Sequence, residues 1–248
     1  MSKKLPVMEI FGPTIQGEGA MIGIQTTFIR FGLCDYKCTM CDSMHAVDPA
    51  QVKANAQWLL PIEIIPLLEP HHSSGCEWVT LSGGNPAIHD LSNLVLDVQD
   101  VLRVKVAVET QGTLMPEWLH FCDNITVSPK SPGMGEKFEP ALFERFLMNF
   151  KYHQGFNVKV VVFSMADIEW AKQINYAMLE EGLGDKMYIS LGNPYPPGNP
   201  NEPITNELRI KLLDEYALMV QDLIDSKMPN VKFLPQLHVL AWGNKQGV

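Results

Sequence analysis

The length, composition and charge of the chain already exclude several kinds of protein. Its 248 residues, 46% of them hydrophobic, suffice for one large core, and we expect a single domain over residues 1–248. A net charge of −9 without a run of lysine and arginine argues against a nucleic-acid partner. No stretch approaches the roughly 18 apolar residues of a membrane span or the apolar run of a signal peptide, so we expect a cytoplasmic protein that binds no membrane.

A glycine-rich loop follows the first apolar segment. Residues 7–11 have the composition of a short strand, which the Gly-Pro pair at 12–13 would end. The loop that follows holds Gln16 and Glu18 between glycines. Glycine lets a backbone approach a ligand closely, and amide groups beside Gln16 could bind a flat heterocycle, although an ordinary turn explains the same residues. The residues alone do not decide between the two.

The next segment, Gln25–Phe31, alternates in hydrophobicity and is rich in Thr, Phe and Ile, which predicts a strand. This strand would present the following loop at its carboxyl end. Near that end stands Arg30, whose guanidinium could form a bidentate pair with a substrate carboxylate. A solvated arginine at a strand end is the alternative, and the position of Arg30 close to a cysteine cluster favours the binding role.

Three of the five cysteines, Cys34, Cys38 and Cys41, stand within eight residues. A chance CxxxCxxC is expected roughly 0.002 times in a chain of this length and cysteine content. Three thiolates at this spacing can hold a four-iron, four-sulfur (4Fe-4S) cluster and leave one iron without a protein ligand, which is the open position that chemistry requires. A zinc knuckle with His45 as its fourth ligand is the alternative.

Other potential metal ligands are interpreted as structural. Cys76 and Cys122 lie apart from the cluster motif, and we expect them to pack as small apolar residues without a disulfide. His71 and His72 stand beside Ser-Ser-Gly, which is typical of a surface loop.

Strand and helix patterns alternate over the rest of the chain. Apolar and β-branched runs predict strands at 78–82, 104–108, 125–128, 158–163, 187–191 and 231–234. Residues 61–68 indicate a short helix interrupted by proline, and helical spacing predicts helices at 90–101, 140–149, 166–181 and 206–226. This succession predicts an α/β fold, an incomplete (β/α) barrel of about six parallel strands. The proline-rich segment 192–200 is predicted to be a rigid loop without chemistry.

Glycine or polar residues stand where three of the predicted strands end. Gly84 follows the first of these strands, Glu109 the second, and the segment 128–130 the third. Ligands of parallel β/α folds bind at the carboxyl ends of strands, so these residues mark the functional side of the sheet. There Glu109 could accept hydrogen bonds from hydroxyl or ammonium groups of a ligand, and an exposed loop acid is the alternative.

These motifs together resemble the radical S-adenosylmethionine (SAM) enzymes and, among them, the 7-carboxy-7-deazaguanine synthase family of the queuosine pathway. The cysteine loop and the later Ser-Gly-Gly-Asn-Pro at 82–86 carry the wider resemblance. The closer one runs from residue 9 to the C-terminus through the segments 9–11, 14–19, 28–30, 41–43, 109–113, 128–130 and 235–238. Asn85 departs from the family's usual Gly-Gly-Glu-Pro, which leaves a backbone contact to the cofactor possible and removes a glutamate side-chain role.

The resemblance implies a reaction and a role for each segment. It implies conversion of 6-carboxy-5,6,7,8-tetrahydropterin to 7-carboxy-7-deazaguanine with loss of ammonia, using a 4Fe-4S cluster, SAM and Mg²⁺. The implied pterin-binding residues are Ile15, Gln16, Gly17, Arg30, Ser82, His238 and Val248. Those implied to bind SAM are Met40, Cys41, Asp42, Gly84, Glu109, Ser128, Pro129 and Lys130. The cluster ligands are Cys34, Cys38 and Cys41, Ser43 replaces the family threonine that ligates magnesium, and Glu18 is a candidate proton-transfer acid.

The resemblance also implies partners. We expect a homodimer, a flavodoxin- or ferredoxin-type reductant, and an apolar tail at 235–248 that closes over the active site. Two other functions fit a short chain with CxxxCxxC: an activase that installs a glycyl radical on another protein, and an iron-sulfur electron carrier without enzymatic activity. An electron carrier would normally ligate all four irons, so the lack of a fourth motif cysteine argues against it.

Overall fold

The computed structural model describes residues 3–194, 204–243, 245 and 247–248. Most of the predicted loop at 192–200 therefore lies outside the described residues, as do residues 244 and 246 of the predicted tail. Within the described ranges, no helix is long and apolar enough to span a membrane.

The described residues form one sheet of nine strands. In chain order these are β1 (Leu5–Ile15), β2 (Gln25–Phe31), β3 (Gln57–Leu59), β4 (Trp78–Gly83), β5 (Lys105–Thr110), β6 (Asn124–Val127), β7 (Phe156–Val162), β8 (Met187–Leu191) and β9 (Lys232–Pro235). Their spatial order is β3-β1-β2-β4-β5-β6-β7-β8-β9; β1 is antiparallel to both neighbours, and every other pair is parallel. The sheet is open, which confirms the predicted incomplete barrel, with seven adjacent parallel strands instead of about six.

Helices flank this sheet. They are α1 (Met44–Val47), α2 (Pro49–Asn55), α3 (Pro61–His72), α4 (Ser92–Asp97), α5 (Pro140–Phe150), α6 (Met165–Glu180), α7 (Asn206–Asp225) and α8 (Leu237–Trp242). A π-helical turn at Val98–Leu102 extends α4. Side chains of Asp48, Ser164 and Thr205 accept hydrogen bonds from backbone amides in the first turns of α2, α6 and α7. Such caps satisfy amides that have no partner within the helix, and they fix where these helices begin.

The parallel strands have two different faces. Alternate residues such as Ile29, Val106 and Val158 share an apolar core with residues of α3, α4, α5 and α6. The residues between them face the other way, and many are buried and polar: Thr26, Thr80, Thr126, Ser128, Asn157, Lys159 and Ser190. Some bond across strands, for example Thr26 Oγ1 to Thr80 Oγ1 at 2.7 Å. Since burial of polar groups is costly unless they are bonded, a polar face on a central sheet indicates a site rather than a core.

The prediction for α3 was wrong at its end. The helix continues through Pro66 and Pro70 to His72, so His71 and His72 are helical residues rather than part of a surface loop. Their Nδ1 atoms lie 2.6 Å from Gly12 O and 2.9 Å from Cys76 O, respectively. Each proline removes a backbone hydrogen bond, but the helix also buries an apolar face in the core, and tertiary packing outweighs the local preference.

Two further boundaries differ from the predictions. Strand β1 does not end at residue 11 but reaches Ile15, with an irregular register between Phe11 and Thr14 that accommodates the Gly-Pro pair. The weakly patterned segment at 43–60 contains α1, α2 and the short edge strand β3. These elements are too short for hydrophobic periodicity to identify them.

The C-terminal segment folds back onto the loop after β1. The Leu237 amide donates a hydrogen bond to Gly17 O at 3.0 Å, and α8 follows directly. Within α8, Val239 is buried in a small apolar cluster with Leu212 of α7, and Arg209 donates to the Leu240 carbonyl. The tail is therefore part of the folded structure through the end of α8, while its closing over a ligand stays a prediction.

Candidate active site

The cysteine loop leaves the carboxyl end of β2 and packs directly against the loop after β4. The amides of Gly84 and Asn85 donate hydrogen bonds to the carbonyls of Phe31 and Leu33 at 2.9 Å each. A Cβ atom at position 84 would lie 1.9 Å from Leu33 O and 3.1 Å from Cys34 Cβ. No side chain fits in that space, so glycine at position 84 is what allows the two loops to touch.

The three motif thiols lie close together. All five cysteines are free, and Cys38 is buried while Cys34 and Cys41 are partly buried. Burial raises the pKa of the Cys38 thiol to about 12 and that of Cys41 to about 11, and it also raises the pKa of Cys34. The Lys130 ammonium lies near all three thiols and opposes this rise in pKa. The thiols therefore hold their protons at neutral pH until a metal displaces them.

This donor set fits a 4Fe-4S cluster. Among the described residues, no group of three or more His, Cys, Asp or Glu side chains is arranged to hold a single metal ion. A four-iron cluster makes a different demand, because each thiolate binds its own iron. Three neighbouring thiols on one loop, with a lysine beside them to offset negative charge, match that demand.

The segment after β6 forms hydrogen bonds to one side of the cysteine loop. The Thr39 amide donates to Met134 O at 3.0 Å, and Tyr36 Oη donates to Lys137 O at 3.0 Å. The Lys37 amide donates to Glu136 Oε1 at 2.5 Å. This fixes the conformation of a loop that has no regular secondary structure of its own.

Asn85 joins the cysteine loop to the end of β5. Its side chain is fully buried; Nδ2 donates to Asp35 Oδ1 at 2.8 Å, and Oδ1 accepts from Thr110 Oγ1 at 2.8 Å. Gln111 Nε2 donates to the same Asp35 oxygen at 2.5 Å and lies 3.5 Å from Cys34 Sγ. Asn85 therefore has a side-chain role of its own, and a glutamate there would put a second carboxylate against Asp35. Sequence reasoning assigned no role to Asp35 or to Gln111.

Two residues predicted to serve different ligands touch each other. Arg30 Nη1 donates to Ser43 Oγ at 2.8 Å, and Ser43 Oγ donates to Asp42 Oδ1 at 2.8 Å. Arg30 Nε also pairs with Glu9 Oε2 at 3.0 Å, and His45 Nε2 lies 3.3 Å from Glu9 Oε1. Burial opposes ionisation of Glu9, but His45 and Arg30 outweigh it and lower the pKa of Glu9. The candidate carboxylate-binding and magnesium-binding side chains thus form one network.

A buried ion triad lies on the polar face of the sheet. Lys159 Nζ on β7 is 2.7 Å from Glu18 Oε2 and 2.5 Å from Glu109 Oε1. Burial opposes ionisation of Glu18, but the charges of Lys159 and then His238 lower its pKa to about 2. Burial likewise opposes the charge of Lys159, yet Glu109 and Glu18 raise its pKa. Glu18 is therefore an anion and a hydrogen-bond acceptor at neutral pH, and its role in proton transfer stays a prediction.

Sequence reasoning missed Lys159 altogether. A signal was present, because Lys159 stands among valines in the apolar strand Phe-Asn-Val-Lys-Val-Val-Val. A charged residue is rarely buried without a partner, so its presence there predicts an opposite charge facing it. The neighbouring sequence does not identify the partner residues, because Glu18 lies 141 residues away in the chain.

The loop at residues 16–18 meets the C-terminal segment, as the resemblance implies. A Cβ atom at Gly17 would lie 2.1 Å from His238 Nδ1, and Gln236 Nε2 donates to Glu18 Oε1 at 2.9 Å. The Gln16 side chain accepts a hydrogen bond from the Gly17 amide at 2.7 Å. These predicted pterin-binding residues are therefore neighbours, and Ile15, which ends β1, is next to them. Val248 is half-buried at the C-terminus.

A cleft opens beside the cysteine loop. It encloses an empty volume of about 280 Å³, part of it open to solvent, and its lining includes Tyr36, Gln111, Gly112, Pro129 and Lys130. The Lys130 ammonium donates to Ser128 Oγ at 3.1 Å. Two predicted SAM-binding residues, Pro129 and Lys130, thus line a cleft next to the thiols. A third, Ser128, is bonded to Lys130. Met40, Cys41 and Asp42 belong to the cysteine loop, and Ser82 and Gly84 to the end of β4 and the loop after it.

Sequence comparison relates the whole chain to known proteins. The 7-carboxy-7-deazaguanine synthase of Bacillus subtilis is 35% identical over 253 residues, and the match covers 100% of both chains. The enzyme of the same name from Bacillus cereus is 35% identical over 247 residues and 99% of each chain. That of Clostridium acetobutylicum is 29% identical over 95% of this chain and 96% of its own. No protein-family profile matches the chain.

Solved structures share the fold. Escherichia coli QueE matches with a TM-score of 0.65 and 20% identity over 95% of both chains. Streptococcus suis SuiB bound to S-adenosylmethionine matches with a TM-score of 0.56 and 17% identity, over 84% of this chain and 49% of its own. The fold and the three-thiol loop at a strand end define a radical SAM enzyme. At 35% identity over its full length to named relatives, the chain belongs to the 7-carboxy-7-deazaguanine synthase family.

Proposed function

We propose that the chain catalyses the reaction for which its family is named, conversion of 6-carboxy-5,6,7,8-tetrahydropterin to 7-carboxy-7-deazaguanine with loss of ammonia. The observation that carries the proposal is the full-length match to 7-carboxy-7-deazaguanine synthases in a chain whose three motif thiols lie together at the end of β2. A 4Fe-4S cluster and SAM, when bound, supply the radical that removes a hydrogen atom from the pterin.

The residues on the cluster side hold and shield the cofactor. Cys34, Cys38 and Cys41 would supply thiolates to three irons, and the backbone carbonyl of Gly84, in the loop that packs against the cysteine loop, would accept a hydrogen bond from SAM. The cleft at Pro129 and Lys130 lies beside these thiols and offers a site for the nucleoside part of SAM. We also assign SAM contacts to Met40, Cys41, Asp42, Glu109 and Ser128. Walls that enclose this cleft exclude water from a reactive radical.

The residues on the other side bind and orient the pterin. The backbone and side-chain amides at Ile15, Gln16 and Gly17 can pair with the edge of the heterocycle, and Glu18 is ionised and accepts hydrogen bonds from its N–H groups. Arg30 is held by Glu9 and Ser43, which orients its guanidinium toward a substrate carboxylate. Ser82, His238 and Val248 complete the proposed pocket.

Magnesium binding is a proposal that the network around Ser43 supports. Its hydroxyl lies between Asp42 Oδ1 and Arg30 Nη1, each at 2.8 Å. Magnesium takes oxygen ligands and keeps several waters, so one serine oxygen together with substrate oxygens can complete its coordination. A substrate carboxylate that binds this ion would also be within reach of Arg30.

The remaining proposals concern the cellular setting. We propose that the protein works in the cytoplasm as a homodimer and receives electrons from a flavodoxin- or ferredoxin-type protein. Exposed Asp35, Lys37 and Thr39 put the cysteine loop near the surface, where an electron donor can approach it. Apolar side chains on α7, such as Leu218, are exposed and favour self-association. Light scattering at several concentrations tests the dimer.

Anaerobic incubation of the iron-loaded protein with dithionite, SAM and 6-carboxytetrahydropterin tests the proposed reaction. We expect deoxyadenosine and 7-carboxy-7-deazaguanine, identified by mass spectrometry. Deoxyadenosine without any deazapurine product would point to the glycyl-radical activase function. A reducible cluster that yields neither compound would point to the electron carrier, and either result would reject the proposal.

A further inference from the structure

Lys159 has no role in the reaction as assigned so far. The residue is 3% exposed on the central strand β7. Its aliphatic stem packs over Gly19, where a Cβ atom would lie 3.6 Å from Lys159 Cδ. Its ammonium bonds to Glu18 Oε2 at 2.7 Å and Glu109 Oε1 at 2.5 Å. The structure thus gives one buried cation to two carboxylates.

The two carboxylates belong to different halves of the site. Glu18 follows Gly17 in the loop proposed to bind the pterin, and Gln236 of the C-terminal segment also bonds to it. Glu109 lies near the end of β5, two residues before Gln111, which lines the cleft beside the cysteine loop. Lys159 is therefore a direct physical link between the proposed pterin and SAM pockets.

The two bonds of Lys159 are not equivalent. The Glu18 side chain is 10% exposed and has a second donor in Gln236, whereas the Glu109 side chain is 27% exposed. The Glu109 carboxylate is therefore more accessible to a ligand than the Glu18 carboxylate. Two carboxylates share one ammonium, so hydrogen-bond donors from a ligand are favoured at the more accessible carboxylate.

We propose that Lys159 is a positioning residue that couples pterin binding to SAM binding, because its ammonium is shared between Glu18 and Glu109. Without SAM, the ammonium is shared by both carboxylates. When hydrogen-bond donors of SAM engage Glu109, Lys159 pairs with Glu18 alone and holds that carboxylate in one orientation toward the pterin. This inference rests on the proposed function, because it requires a pterin pocket at Glu18 and a SAM pocket at Glu109.

The sign of the coupling follows from this exchange. An acceptor that is already fixed in its binding orientation loses less conformational entropy when its ligand binds. SAM should therefore tighten the binding of the pterin, and by linkage the pterin should tighten the binding of SAM by the same factor. Coupling between two sites typically amounts to about 5–150-fold, and we expect at least about 5-fold.

Isothermal titration of iron-loaded, unreduced protein with 6-carboxytetrahydropterin, with and without SAM, measures this factor without turnover. In the wild type, saturating SAM should lower the pterin Kd at least about 5-fold. In Lys159→Met the Kd should change less than about twofold. The control is Lys151→Met, which removes a lysine that pairs with Glu181 at 3.0 Å, and it should keep the full effect. Full coupling in Lys159→Met, or none in the wild type, would overturn the inference.

A second variant decides the matter if Lys159→Met does not fold. Glu109→Gln removes the competing charge, so Lys159 should pair with Glu18 permanently. We expect its pterin Kd without SAM to match that of the wild type with SAM, to within about twofold. A residue with a merely structural role would instead weaken pterin binding when its network is damaged. Wild-type protein that binds no pterin at all would reject the proposed function itself, whereas binding of both ligands without coupling rejects the inference alone.

Discussion

The cysteine loop and the Lys159 triad are built in opposite ways. The loop concentrates three thiols within eight residues, and its conformation is fixed mainly by backbone contacts to neighbouring loops. The triad joins side chains that lie 141 and 50 residues apart, and the sheet brings them together. Metal ligation is thus encoded locally, while the charges that orient ligands depend on tertiary structure. Damage to the loop should abolish chemistry with little loss of stability, whereas damage to the triad should reduce stability and ligand binding together.

The largest expected effect comes from removing a ligand in the cysteine loop alone. Cys38→Ala removes one of three cluster ligands, and nothing nearby replaces it. We expect loss of the brown absorbance of the cluster and of all deoxyadenosine formation, with little change in far-ultraviolet circular dichroism. Cys76→Ala, which alters a buried cysteine bonded to the backbone of β4, should retain both. A full four-iron cluster in Cys38→Ala would contradict the assignment of the ligands.

Damage to the Lys159 triad should mainly reduce the stability of the fold. Lys159→Met leaves two carboxylates without their buried cation, and loss of one partner from a buried ion group costs about 3–5 kcal/mol. We expect a corresponding fall in the free energy of unfolding, measured by urea denaturation. The double variant Lys159→Met/Glu18→Gln should recover part of the loss because it removes the more buried carboxylate. The more accessible pair of Lys151 and Glu181 provides the control, and stability of Lys159→Met equal to that of Lys151→Met would refute a structural role for the triad.

Much of the cysteine loop could be predicted from the sequence, but little of the Lys159 triad could. Cysteine spacing predicted the cluster loop, and the strand pattern predicted that Glu109 and Lys130 follow strand ends, because the register of parallel strands puts such residues at one edge of the sheet. The pairing of Glu18 with Lys159 could not be predicted, since it depends on which strand faces the loop after β1. Likewise, α3 runs through two prolines because buried contacts outweigh local propensity.

Variants of Ser43 test whether magnesium binds beside the cysteine loop. Added magnesium should raise turnover several-fold, Ser43→Ala should remove most of this response while leaving the cluster intact, and Ser43→Thr should preserve it. The measurement is product formation as a function of magnesium concentration in the three proteins. An unchanged response in Ser43→Ala would locate the ion elsewhere.

Asn85 bonds the cysteine loop to Thr110 at the end of β5, so its replacement should loosen the loop slightly. Asn85→Asp would set a buried carboxylate against Asp35 Oδ1, which now accepts a hydrogen bond from Asn85 at 2.8 Å. Leaving a buried polar group unsatisfied costs about 1–3 kcal/mol. We expect that loss in unfolding free energy and a lower iron content after gel filtration. Asn149→Asp, on the exposed side of α5, should change neither, and an intact cluster in Asn85→Asp would show that the Asn85 bridge does not hold the loop.

The smallest effect is the acid dependence of the triad. The pKa of Glu18 is about 2 in the folded protein against an ordinary value of 4.5, because Lys159 and His238 outweigh the effect of burial. A carboxyl group whose pKa is lower in the folded state stabilises the fold at pH values above its unfolded pKa. This stabilisation is lost as the pH falls toward the folded pKa. The difference in unfolding free energy between wild type and Glu18→Gln should therefore be constant near neutral pH and shrink below about pH 4.5. A difference that stays constant to pH 3 would mean that Glu18 is not held ionised.

The central claim is that three thiols hold a 4Fe-4S cluster with one iron open to SAM. Electron paramagnetic resonance of the dithionite-reduced, iron-loaded protein, recorded before and after addition of SAM, tests it most directly. We predict about four irons per chain and a reduced-cluster signal that shifts when SAM binds the open iron. A signal that SAM leaves unchanged, or a single zinc ion in place of iron, would contradict the claim.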